Sequence, residues 1–145
     1  MAKGRILNEI FASQADERAI TELQWRAEHG LRATDVVFLD QALPTYLWFW
    51  RLLGMNPNEL LPECFRHRYA SVFILDQLPL QLDGARIEDE AYTVLLDEAL
   101  VRDYSALGYS VVRVPVLPPE ERLAFILESL SEQGLIEQPG TEEER

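Results

Sequence analysis

One carboxylate stands where a β-strand could deliver it to a magnesium ion. Asp40 follows the apolar run Val36-Val37-Phe38-Leu39, and this composition predicts a strand over residues 35–39 that is covered by helices on both faces. An acid at the carboxyl end of a buried strand is well placed to hold Mg²⁺, directly or through water. The alternative is that Asp40 caps the helix that opens at Pro44 and accepts backbone N–H groups. The sequence favours neither reading.

No glycine-rich phosphate-binding loop accompanies this acid in the sequence. The motif G-x-x-x-x-G-K-[ST] is absent, the seven glycines are widely scattered, and the only lysine is Lys3. The backbone amides and the lysine of such a loop provide most of the affinity for a triphosphate. The residues therefore indicate only one half of a phosphoryl-transfer site.

A second candidate is Arg86, which lies in the acidic stretch 83–90 at the start of a predicted helix. Its guanidinium could reach over a bound phosphate as a lid and stabilise charge on a transferring phosphoryl group. Alternatively, Glu88, Asp89 and Glu90 complement the helix dipole and Arg86 pairs with one of them. The spacing alone favours this second interpretation.

Other conspicuous residues are better explained by packing or solvation. The aromatic run 46–50 could stack on a base, but aromatic residues crowded on one short helix more often form a core. The single cysteine, Cys64, excludes an intrachain disulfide and is predicted to be a buried thiol. The basic cluster 66–68 could meet an anion but also suits a solvated helix end. His29 and His67 are not spaced with other ligands as a metal site would require.

The composition limits the classes of partner. The 145 residues carry a net charge of −12, which argues against binding to nucleic acid or to an anionic membrane surface. The longest apolar stretches, such as residues 46–50, are far too short to span a bilayer. Without a recognisable signal peptide, a cytoplasmic location is expected.

Helical and strand patterns alternate along the chain. Helices are predicted over residues 5–29, 46–53, 57–66, 87–107 and from 118 onward, and strands over residues 35–39, 71–75 and 110–114. This order predicts an α/β fold with a parallel sheet, whose ligands collect at the carboxyl ends of the strands, where Asp40 and Asp76 lie. We expect one domain over residues 1–134 and a flexible acidic tail over 135–145.

Two of these helices have apolar rows at helical spacing. In the first, Ala19, Ile20, Leu23 and Ala27 recur as the apolar face of an amphipathic helix does. In the long helix over 87–107 the predicted buried rows are Ile87, Ala91, Leu95 and Ala99, and Tyr92, Leu96 and Leu100.

Several short motifs occur in a fixed order along residues 5–130. They are Val37-Phe38-Leu39-Asp40, the segment 68–75 (RYASVFIL), Asp83-Gly84-Ala85-Arg86, the segment 104–115 (YSALGYSVVRVP) and the segment 121–127 (ERLAFIL). In this order they resemble the AAA-type P-loop ATPase and kinase-like family that includes the ribosylnicotinamide kinase domain of NadR-type proteins.

The resemblance implies a partial P-loop NTPase-like layer fold, with a short parallel sheet flanked by helices and with the first strand and phosphate loop missing. It implies that Asp40 is a Walker-B-like catalytic acid that holds magnesium through water, and that Arg86 is a lid residue on the nucleotide. Arg122 also matches, on a helix face that suits a structural role. The implied cofactor is Mg-ATP, with binding weak or absent because the phosphate loop is lacking.

Three functions are compatible with this resemblance. The first is an incomplete P-loop ATPase or kinase-like domain without catalytic activity on its own. The second is an ATP-dependent kinase of a small nucleoside-type molecule whose amino-terminal half is missing from this chain, and the third is an acidic protein-interaction module on a degenerate NTPase scaffold. Without the first strand, we expect residues 35–39 and 71–75 to pair directly. Their unpaired edges would also favour a homo-oligomer or a partner chain.

Overall fold

The computed structural model of the protein describes residues 14–32, 36–77 and 87–137, with the backbone alone for residues 87–90. It divides into two compact units, residues 1–68 and residues 69–145. Within the described ranges, no helix combines the length and apolar character that crossing a bilayer requires.

The first unit is helical in its described part. It contains α1 (Gln14–His29), α2 (Tyr46–Leu52) and α3 (Leu61–Arg66), with 3₁₀ turns at Leu43–Thr45 and Pro57–Glu59. Acids in the first turn of α1 and bases in its last turn complement the helix dipole. Gly54 follows α2 at a φ of 73°, which permits the Met55 N–H to donate back to the Trp50 carbonyl at 2.8 Å.

The core of the first unit is formed mainly by α2 and its neighbours. The buried apolar side chains are Leu43, Tyr46, Leu47, Trp50, Leu53, Met55, Leu60 and Cys64. The predictions that the aromatic run packs in a core and that the cysteine is a buried thiol are confirmed.

The second unit is a parallel βαβ arrangement followed by a helix. The strands β1 (Val72–Leu75) and β2 (Val111–Val114) pair in parallel, with Val72 opposite Val111 and Leu75 opposite Val114. The long helix α4 (Ile87–Ala106) connects the two strands, and α5 (Pro119–Glu132) follows β2. The buried apolar residues of this unit are Val72, Ile74, Ala99, Tyr104, Leu107, Val114 and Leu130.

The α/β class is confirmed, but the predicted strand over residues 35–39 is wrong. Residues 36–39 are described and form no strand, and their side chains are exposed, Val36 at 70% and Phe38 at 64%. Direct pairing of this segment with residues 71–75 is also wrong, because the sheet of the described residues contains only β1 and β2. Apolar character makes a strand only where a neighbouring strand supplies hydrogen bonds. Asp35 lies outside the described residues.

Other predicted boundaries shift by smaller amounts. The segment 57–66 divides into a 3₁₀ turn and α3. In α4, Ala99 is buried as predicted, but Leu95 and Tyr92 are exposed. Residues 5–13, most of the predicted 77–86 loop and most of the predicted tail lie outside the described residues.

Candidate functional site

Asp40 lies in a bend between the exposed segment 36–39 and the first 3₁₀ turn, and its side chain is exposed. The bend is attached to α1, because the Gln24 side-chain amide donates to the Gln41 carbonyl at 2.9 Å. The buried residues of the 3₁₀ turn, Leu43–Thr45, anchor the other side. The structure thus presents this carboxylate to solvent on a short, tethered loop.

The alternative role of Asp40 as a helix cap is wrong. The residue that precedes the 3₁₀ turn is Ala42, and no side chain caps that turn. The turn is closed by the backbone, with the Thr45 N–H donating to the Ala42 carbonyl at 3.0 Å. Asp40 therefore has no part in starting the helix, which leaves its carboxylate available for another partner.

Arg86, the predicted lid residue, lies outside the described residues. Its distance from Asp40 is therefore untested, and its role stays a prediction. Arg122, the third residue carried by the resemblance, has a structural role. Its guanidinium donates to the Leu117 carbonyl at 3.1 Å, at the start of α5, which ties the β2–α5 connection to the helix.

The carboxyl ends of β1 and β2 carry a three-residue ion network. Arg113 donates from both terminal nitrogens to the Asp97 carboxylate, each at 2.6 Å, and to Asp76 Oδ1 at 3.2 Å. Asp76 is held there by its own N–H, which donates to the Val114 carbonyl at 2.8 Å. Hydrogen bonding to Asp97 raises the pKa of the Arg113 guanidinium further above its ordinary value, while burial opposes the shift.

This network ties α4 to the strand ends and does not suit anion capture. A phosphate would have to displace a bidentate carboxylate from Arg113. The sequence pattern placed Asp76 at this edge but missed Arg113 and Asp97. Arg113 interrupts an apolar strand, which signals an exposed position, but nothing in the spacing of 16 residues predicts a pair with Asp97.

The face of α1 that points into the first unit is polar. The indole N–H of Trp50 donates to Thr21 Oγ1 at 2.9 Å, and Thr21 in turn donates to the Glu17 carbonyl at 2.7 Å. Burial raises the pKa of the Tyr46 phenol, and the charges of Glu17 and Glu28 raise it further. The aromatic helix α2 is therefore packed against carboxylates and a hydroxyl.

Glu17 provides a prediction of pH-dependent stability. One of its carboxylate oxygens is buried without a hydrogen-bond partner among the described residues, and burial raises the pKa of this carboxyl above 4.5. The folded state thus favours the neutral acid. The contribution of Glu17 to the free energy of unfolding is fully present below pH 4.5 and is lost as the pH rises through the folded-state pKa.

We expect Glu17→Gln to raise the melting temperature at pH 7 by roughly 2 °C and to have no effect at pH 4. Differential scanning calorimetry at the two pH values tests this. Glu22→Gln is the control, because Glu22 is exposed and pairs with Arg26 at 2.7 Å. A Glu17→Gln variant that is less stable than the parent at pH 7 would contradict the prediction.

Both histidines of the chain meet in the first unit. His29 stacks on Trp25 with ring centroids 5.0 Å apart, and His67 lies edge-on to His29 at 5.6 Å. The Trp25 indole donates to Glu63 at 2.5 Å, and Arg66 donates to the same carboxylate at 3.1 Å. No three histidine, cysteine or acidic side chains in the described ranges are placed to share a metal ion. Packing and ion pairing account for this cluster.

Comparison with known proteins gives one result. The sequence pattern of the AAA domain family matches residues 2–122, which is most of the chain. No curated protein and no solved structure matches.

Proposed function

The chain belongs to the AAA domain family, and from that membership we propose that it is an incomplete P-loop ATPase- or kinase-like domain without catalytic activity on its own. The observation that carries this proposal is the segment 36–39. Its composition is that of a buried strand, yet these residues are exposed and form no strand with the described part of the chain. Four consecutive apolar residues in this state indicate a layer of the fold that residues 14–32, 36–77 and 87–137 do not supply.

The chemistry of the candidate site supports the same proposal. Mg²⁺ in nucleotide sites is held by one or two carboxylates together with substrate phosphates. Asp40 offers one exposed carboxylate, but no three-residue metal-binding group exists among the described residues, and the sequence lacks G-x-x-x-x-G-K-[ST]. Without further ligands beside it, the Asp40 carboxylate can only accept a hydrogen bond from a metal-bound water. The glycine-rich loop and the lysine of that motif, which provide most of the affinity for a triphosphate, are not in this sequence. Mg-ATP therefore does not fit the site as it stands.

We propose that in a completed domain the Asp40 carboxylate holds magnesium through water. Arg86 is then the lid residue that lies over the nucleotide. The position of Asp40 in the tethered bend supports this role, since the Asp40 carboxylate is exposed and does not cap the following 3₁₀ turn. The exposed segment 36–39 is then a site for strand addition by a partner chain, because an apolar strand gains both hydrogen bonds and burial there.

We expect the isolated chain to bind Mg-ATP with a dissociation constant weaker than about 1 mM and to release no phosphate. The reason is the lack of a phosphate loop beside Asp40. Isothermal titration calorimetry with Mg-ATP and a phosphate-release assay test both statements, and Asp40→Asn should match the parent chain in each. A micromolar constant that Asp40→Asn weakens would refute the proposal and support a functional phosphotransferase.

A further inference from the structure

The helix α1 has its polar and apolar faces reversed. The side chains that point inward, all buried or half-buried, are Gln14, Glu17, Thr21, Gln24, Trp25 and Glu28. The exposed apolar side chains, here called the outward stripe, are Ala15, Ala19, Ile20, Leu23 and Ala27. The apolar row that the sequence showed at helical spacing therefore faces solvent.

Hydrogen bonds from the inward face hold the helix in this orientation. Its contacts to α2 and α3 include the Trp50–Thr21 hydrogen bond and the Trp25–Glu63 hydrogen bond. Turning the stripe inward would break these bonds and expose an indole. Leu23 nevertheless remains 66% exposed, and Ile20 lies beside it. A contiguous apolar stripe on an otherwise charged helix is typical of a surface that another molecule covers.

We propose that the outward stripe is a homodimer surface, on which α1 of two copies pack antiparallel about a two-fold axis at the level of residue 21. In this register Ala19 faces Leu23 of the second copy, and Ala15 faces its Ala27. Alanine on one side of the Ala19–Leu23 contact, and on both sides of the Ala15–Ala27 contact, lets the helices approach closely.

The charges beside the stripe complement each other in this register. Asp16, in the first turn, faces Arg26 of the second copy, in its last turn, and the two-fold axis makes the same pair twice. Arg26 already pairs with Glu22 of its own helix at 2.7 Å, so it bridges two carboxylates in the dimer. A parallel pairing would instead place like charges and like helix ends together.

The size of the stripe sets the strength of the association. A helix of 16 residues is about 24 Å long, and one such pair buries less than the roughly 800 Å² per partner of a standard interface. The dimer is therefore weak and dissociates on dilution. We expect monomers at low micromolar concentration and dimers near millimolar concentration.

Sedimentation equilibrium of the full chain between 10 µM and 1 mM is the first test. The parent chain should move from monomer to dimer, and Leu23→Glu should stay monomeric over the whole range. The matched control is Leu123→Glu, a similarly exposed leucine on α5, at 57%, which should dimerise as the parent does. Because both leucines are exposed, both variants should keep the far-UV circular dichroism of the parent.

The second test is specific to the antiparallel register. Asp16→Arg brings two pairs of arginines together and Arg26→Asp two pairs of acids, so each variant alone should dimerise at least tenfold more weakly than the parent. In the mixed dimer of the two variants, position 16 of each copy again carries a charge opposite to that at position 26 of the other copy. An equimolar mixture should therefore regain the dimer affinity of the parent.

Each remaining outcome overturns the proposal. A parent chain that stays monomeric at 1 mM, a dimer that Leu23→Glu leaves intact, or a mixture no tighter than its components would each do so. A dimer lost in Phe38→Glu but kept in Leu23→Glu would instead locate association at segment 36–39, the strand-addition site of the proposed function. None of these association measurements involves nucleotide. The Mg-ATP titration therefore tests the proposed function independently of the dimer.

Discussion

We expect Trp50→Ala to lower the free energy of unfolding by about 3–5 kcal/mol, the usual cost of removing a large buried aromatic side chain. Trp50 is 5% exposed; its indole N–H donates to buried Thr21, and the Arg18 guanidinium lies 5.0 Å above its ring. The substitution therefore opens a cavity and removes a hydrogen bond and a cation–π contact together.

Urea denaturation followed by far-UV circular dichroism measures this loss. With a slope of roughly 2 kcal/mol per molar, the midpoint should fall by about 2 M. Leu52→Ala on the same helix is the control, because Leu52 is exposed and its truncation should cost less than about 1 kcal/mol. Equal losses in the two variants would show that Trp50 is not in the core.

The second unit has a comparable residue in Tyr104. Its side chain is 5% exposed and packs against Tyr109, with ring centroids 6.0 Å apart. The Tyr109 hydroxyl in turn accepts the Tyr69 N–H at 3.0 Å, at the approach to β1. We expect Tyr104→Ala to cost about 3–5 kcal/mol by cavity formation and by loosening this support for the sheet.

Tyr92→Ala provides a matched control for Tyr104→Ala, since it removes the same residue type from the same helix at an exposed position. It should cost less than about 1 kcal/mol. The same urea experiment applies. If the two tyrosine variants unfold at the same urea concentration, then Tyr104 does not lie in the core of the second unit.

The segment 36–39 shows that a local pattern of apolar residues is not sufficient to predict a strand. Its apolar residues and those of β1 predict strands equally well, yet only β1 is a strand, because β2 supplies its hydrogen bonds. Strand pairing requires two segments, so the sequence of one segment cannot predict whether it pairs.

The ion network at the sheet edge shows the same limit for the candidate site. Asp76 could be placed from its position after a strand, because parallel strands carry their carboxyl ends to one edge. Its partners Arg113 and Asp97 could not, since their contact depends on how α4 crosses back over the sheet.

The sequence by itself determined the α/β class, the family, the positions of most helices and strands and the buried cysteine. These depend on local spacing, glycine and proline, and the order of short motifs. Only the tertiary structure decided that segment 36–39 is unpaired, that Asp40 caps no helix and that α1 turns its apolar row outward. Periodicity gives a helix two distinct faces, but which face is buried depends on what packs there. In this protein the buried aromatic helix α2 presents the Trp50 indole N–H, so it is the polar face of α1, through Thr21, that packs inward.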